Sequence, residues 1–236
     1  LYKDPEHRWT GFAARVRVFI VNTEMADPAQ LGNMHDLLDP DWAGQCTMAV
    51  PLTGTTLTHM AALYSVLGEE AARAHVQALK AANESGQLSL VRSNGEVMRA
   101  VRDGTFAFGW TDTDDYFVAI DAGQPVGMRP VRLADNKTIC LPNSVGIVRG
   151  TQQLEGARQL VDFLLSAETE LALARAPSRQ IPLGPVDETQ LTDDVQQLRK
   201  WARHGMSLDG LADLARAAKE ANWLNETDPG SNAWSI

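Results

Sequence analysis

Apolar positions along this chain follow two periods that take turns. Residues 16–21 read Val-Arg-Val-Phe-Ile-Val, β-branched and aromatic side chains that predict a strand. Short apolar runs at 47–50, 89–91, 106–110, 138–141 and 145–148 predict further strands. Between them the spacing lengthens to that of a helix, over residues 57–67, 69–83, 95–103 and 116–121. Over 153–165, Leu154, Ala157, Leu160, Val161, Leu164 and Leu165 fall at helical spacing. Residues 168–176 continue helical, and the tail over 188–222 reads as mainly helical. A short helical stretch at 31–38 precedes the turn chemistry of Asp39-Pro40-Asp41-Trp42-Ala43-Gly44. Strands alternating with helices predict an α/β architecture with a largely parallel sheet. No repeat or low-complexity segment interrupts it, and 182–192 is a weak linker candidate.

Two strand-to-helix junctions carry candidate chemistry. Thr53-Gly54-Thr55-Thr56 opens the helix at 57–67. The first turn of a helix offers unpaired N–H groups and the positive end of the dipole. Gly54 lets backbone approach a ligand and the threonine hydroxyls add donors, so the segment suits an anion or carboxylate. An ordinary N-cap on Thr53 or Thr55 explains the same residues and, for the segment taken alone, is the stronger reading. The lysine of a phosphate-binding P-loop is not there. Asp112-Thr113-Asp114-Asp115 stands at the C-terminal end of an apolar strand, where open α/β sheets place their crevices. Its carboxylates suit a hard cation, or an amine or hydroxyl ligand. They equally suit an acidic helix start. Asn94 occupies another junction, and Arg15 begins the first strand with a guanidinium able to pair an anion bidentately. As lone residues both fit structural roles as well.

Composition narrows the classes. Of 236 residues, 44% are apolar and 22% charged, enough for a sizeable core. The net charge of −9, with no Lys/Arg run, argues against nucleic acid. No apolar run reaches the roughly 18 residues that a membrane helix needs. Five histidines show neither metal-binding spacing nor a nucleophile partner, and no dinucleotide fingerprint is present. Paired carboxylates such as Asp112 and Asp115 suit acid–base work, but nothing supplies a nucleophile or cofactor, so an enzyme is not expected. Cys46 and Cys140 read as buried thiols rather than a disulfide. The chain opens at Leu1 without Met and runs through polar residues straight into a strand, which reads as a chain entered partway.

The order of these pieces resembles the iron(III)-type, family 1 extracellular solute-binding proteins of ABC importers. Trp9 to Val18 with Asn22-Thr23, Leu37 to Gly44, Pro51 to Thr58, Gly109 to Asp115, Pro142 to Val148, Ala157 to Ser166 and Gln180 to Leu183 carry it. The resemblance implies a two-lobed type 2 periplasmic binding fold with much of the first lobe missing, from N-terminal truncation. It divides the chain into the end of the first lobe and hinge strand (1–19), the second lobe (20–138), the return crossing and remaining first lobe (139–185), and a C-terminal helical segment (186–236). Cleft residues then carry over to Arg15, Thr53, Gly54, Thr55, Thr56, Asn94, Asp112 and Thr113. The tyrosine pair of ferric-binding members corresponds to Asp114 and Asp115, the implied metal ligands, with Tyr116 out of register. The implied ligand is ferric iron, another metal, or a small anion or phosphonate; no resident cofactor is required. The implied partner is a membrane permease and the implied place periplasmic, with anchoring through the absent N-terminus. The implied state at full length is a monomer that closes about a hinge. The alternative is the ligand-sensing effector domain of a transcription regulator with the same fold.

Overall fold

The computed structural model describes residues 2–52 and 54–214. Strand β1 (Thr10–Asn22) is its axis: thirteen residues, almost all buried, because its Val, Phe, Ile and Ala side chains find apolar cover on both faces. β2 (Cys46–Ala49), β3 (Leu88–Val91), β4 (Phe108–Asp112), β5 (Val126–Pro130) and β6 (Cys140–Val145) complete a six-stranded sheet. Its order is β3-β2-β4-β1-β5, with β6 also paired to β1. β1 changes neighbours along its length. Residues from Arg17 to Asn22 lie between β4 and β5, while Thr10 to Val16 lie against β6.

β2 runs parallel to β3 and β4, whereas β1 runs antiparallel to β4, β5 and β6. The sheet is therefore mixed, not largely parallel, because the long strand returns through it against the direction of the βαβ units. The two strands expected at 138–141 and 145–148 are one, β6. The second apolar run leaves the strand after Val145, and Val148 is 78% exposed. β5 has no apolar alternation to announce it. Its Val-Gly-Met-Arg-Pro is the composition of an edge strand. A Cβ on Gly127 would stand 2.6 Å from Pro28 Cγ, so the strand passes too close for a side chain.

The helices are α1 (Gly54–Leu67), α2 (Glu69–Glu84), α3 (Asn94–Arg102), α4 (Thr113–Asp121), α5 (Leu154–Leu164), α6 (Ala167–Arg175) and α7 (Asp193–Ala202). Of the stretch expected at 31–38 only Asp36–Leu38 is helical, as a single 3-10 turn, and another such turn, Pro28–Gln30, precedes it. In the tail, a 3-10 turn at Glu188–Gln190 precedes α7; residues 215–222 of the expected tail helix lie outside the described residues. The main core joins α1 and α2 to the sheet through Phe19, Phe108, Trp110, Met48, Met60 and Leu63. A second cluster on the other face of β1 gathers Val16, Val18, Phe117, Cys140 and Leu198. Cys46 and Cys140 are buried, free thiols.

β1 carries a bulge between Phe12 and Ala14, where Ala13 takes a left-handed φ of 41° although fully buried. Its backbone is held on both sides. Ala13 N–H donates to the buried Glu170 carboxylate at 3.1 Å, and the Asn143 amide donates to Ala13 carbonyl. Glu170 also accepts from Leu183 N and Gly184 N, so one carboxylate pins three N–H groups on two backbone segments.

Candidate ligand site

The site forms where the C-terminal end of β4 meets the starts of α1, α3 and α4. Arg17 and Asp112 are direct partners across β1 and β4, so their side chains stand on one face. Arg17 Nη1 donates to Asp112 Oδ1 at 2.9 Å and to Thr55 Oγ1 at 3.2 Å. Asn94 Nδ2 donates to Asp112 Oδ2 at 3.1 Å and to Thr55 Oγ1 at 2.7 Å. Thr56 Oγ1 donates to Asn94 Oδ1 at 3.3 Å. Arg15 Nε stands 3.5 Å from Asp112 Oδ2, and its Nη1 donates to Asn143 of β6 at 3.0 Å. Arg15 thereby ties β4 to β6 across the long strand.

Asn94 is free for this network because the preceding Ser93 caps α3, accepting from Glu96 N at 3.2 Å. Gly54 opens α1 with φ 61°, a conformation that favours glycine, and a Cβ there would meet nothing within 4 Å. The side-chain direction at Gly54 is therefore open among the described residues. Thr53 lies outside the described residues. Thr113 is buried, and its hydroxyl accepts from Val16 N at 3.3 Å, a contact that ties β1 to α4.

The acidic pair behaves unevenly. Asp115 accepts a 2.5 Å hydrogen bond from Thr111 Oγ1. Burial raises its carboxyl above the ordinary range, against that hydrogen bond. Asp114 keeps one buried oxygen, Oδ1, with no hydrogen-bond partner among the described residues. Burial, then the charges of Asp112 and Asp115, push it up to about 6, with Arg15 opposing. Among the described residues no three His, Cys, Asp or Glu side chains are arranged to hold a metal. The pair is thus at most a part of a cation site. Tyr116 does not complete it. Its ring packs edge-on against Phe117 at 5.1 Å, and its charged neighbours are Asp194, Arg179 and Asp121.

The structure brings together Arg15, Thr55, Thr56, Asn94 and Asp112 from four separate stretches of sequence. The sequence reading overlooked Arg17, Thr111 and Asn143. For Arg17 a signal existed: two arginines two residues apart inside an apolar strand share one face, and a charge in such a run needs a buried partner.

Residues 2–202 match the family model described as bacterial extracellular solute-binding protein. The chain belongs to that family. Iron uptake protein A1 of Synechocystis is 24% identical over 245 residues, covering 94% of this chain. This chain spans 63% of that relative's length. Among solved structures, the apo ferric ion-binding protein A of Pasteurella haemolytica superposes with a TM-score of 0.79 at 16% identity, covering 95% of this chain and 73% of that one. Iron-bound HitA from Pseudomonas aeruginosa gives 0.71 at 22% identity, over 92% and 71% of the two chains. The solute-binding fold seen in these structures is thus the fold of this chain, and the mixed sheet threaded by one long strand is its described part.

Proposed function

We propose that this chain is the ligand-capturing part of an ABC importer working outside the cytoplasm, and that its ligand is a hard metal cation, ferric iron first. The observation that carries the cation is Asp114, whose buried carboxylate oxygen lacks a partner among the described residues while two further carboxylates stand beside it. A cation supplies what the fold withholds there. Its remaining ligands come from the solute's own anion or from residues brought in by closure. Relatives named for iron uptake and ferric binding support the choice.

In this reading β1 and β6 are the crossing strands of the hinge. Residues 1–19 and 139–185 belong to one lobe, 20–138 to the other, and 186–236 form a C-terminal segment. Gly54 and Thr55 flank the cleft, where the start of α1 suits the anion that accompanies a metal. A periplasmic location and delivery to a membrane permease follow from the same reading, and the protein performs no chemistry of its own. A second reading, a small anion or phosphonate alone, is favoured by Arg15 and that helix start.

A thermal-shift panel separates the two. Ferric citrate is expected to raise the melting temperature, since a ligand that binds only the folded state stabilises it. Citrate alone and methylphosphonate are expected to leave it unchanged. A shift with methylphosphonate and none with ferric citrate would reverse the assignment.

A further inference from the structure

Two histidines that the cleft does not use, His35 and His75, face each other across two elements. His35 stands at the head of the 3-10 turn Asp36–Leu38 and makes no capping hydrogen bond, so its exposed ring is free. His75 lies in the middle of α2 and is buried. Their Nδ1 atoms stand 3.2 Å apart, and the rings lie 4.9 Å apart between centroids with 71° between planes. The turn that carries His35 is fixed from within. Asp36 Oδ2 accepts from Gly32 N at 2.7 Å and from Asn33 N at 2.9 Å, and Asn33 Oδ1 accepts from His35 N at 2.9 Å. On α2, the residues one turn to either side of His75 are Ala71, Ala72, Ala78 and Leu79, so no polar side chain of those four competes for its ring.

Those distances choose between two ways of joining the rings. A straight hydrogen bond from one Nδ1 to the other lines both ring axes along the N···N vector and puts the centroids about 5.5 Å apart. The observed 4.9 Å is shorter, so the ring axes bend off that line. An ion about 2.1 Å from each nitrogen, the length of a zinc–imidazole bond, would see the two nitrogens about 100° apart. That angle lies between the octahedral and the tetrahedral values. Rings aimed at such an ion would have centroids about 5.0 Å apart, and the pair matches this spacing rather than the longer one. The chemistry agrees. Burial, then the neighbouring His35, pushes His75 down to about 4, which leaves its lone pair free of a proton at neutral pH. Imidazole nitrogen suits borderline divalent ions, whereas the carboxylates of the cleft suit hard ones. The exposed ring of His35 opens the pair to water, which completes a coordination shell.

We infer that His35 and His75 form a second metal site, for a divalent transition ion of the zinc, nickel and copper class, with water in the remaining positions. Two protein ligands make it a low-affinity site. Occupied, it clips the turn at Asp36–Leu38 to α2. It shares no residue with the cleft and does not rest on the cation reading there.

Calorimetric titration of zinc chloride into chelator-treated protein tests it. His35→Gln is the variant of choice, because that ring is exposed and its loss leaves the core intact. Saturable binding to the parent is expected, weaker by about tenfold or more in His35→Gln and unchanged in Asp114→Asn. No binding to the parent, or zinc binding that His35→Gln retains in full, overturns the inference. So does zinc binding that Asp114→Asn removes, which would place the ion at the cleft carboxylates. Crystals soaked at a zinc concentration that saturates the titration are expected to show an anomalous peak about 2.1 Å from both Nδ1 atoms. A peak elsewhere with none between His35 and His75 also overturns it.

Discussion

At the scale of single residues, buried ionisable groups set how this protein responds to acid. His75 is buried and pushed down to about 4 by burial and by His35, whose Nδ1 stands 3.2 Å from its own. His59 is held lower than the ordinary imidazole range. Both are neutral in the fold, while the unfolded chain takes up their protons near 6.5. Stability is therefore full above pH 6.5 and falls as pH drops toward 4. Asp114 has the opposite slope, since its raised pKa makes protonation favour the fold below about 6. Asp115, also raised by burial, acts in the same direction as Asp114, but between pH 6.5 and 6 the two histidines act first and stability falls there. Between pH 7.5 and 5 the His75 contribution is about 2 kcal/mol, and denaturant melts should show a markedly shallower decline in His75→Gln. An equally steep decline in that variant would contradict the assignment. None of this is visible in the sequence, where His59 and His75 are simply helical residues; burial created the effect.

At the scale of elements, the runs of apolar residues foretold α1, α2, α3 and the strands β2 to β4 to within a few residues, but only the second half of β1, Thr10–Asn22. They foretold less where tertiary contact, not periodicity, decides. β5 exists because β1 offers it a second edge, and its Gly127 fits only because Pro28 crosses it. The antiparallel insertion of β1 depends on long-range pairing that no local pattern encodes. β4 shows how tightly these strands are packed. A Cβ on Gly109 would meet Thr47 O and Val97 Cγ1 at 2.6 Å each. Gly109→Ala should thus cost about 1–3 kcal/mol, read as a lower denaturant midpoint with an unchanged slope. A midpoint equal to the parent's would show that β2 and α3 yield more easily than this packing allows.

At the scale of the whole molecule, the site is made by assembly. Five of its side chains come from the starts of α1 and α3, the end of β4 and one stretch of β1, and only the fold makes them neighbours. Thr55, Asn94, Asp112 and Arg15 were legible as residues of the right type at junctions. Their mutual hydrogen bonds, and the place of Arg17 among them, were not, because register across β1 and β4 brings them together. The partnerless oxygen of Asp114, on which the cation reading stands, needed the structure. Calorimetric titration of ferric citrate into the parent protein and into Asp114→Asn tests that reading most directly. The account predicts saturable binding to the parent, at least tenfold weaker binding to the variant, and a ligand-free variant as stable as the parent or more so, since burial there opposes the charge. Equal affinity of the two proteins for ferric citrate, with both folded, would contradict it.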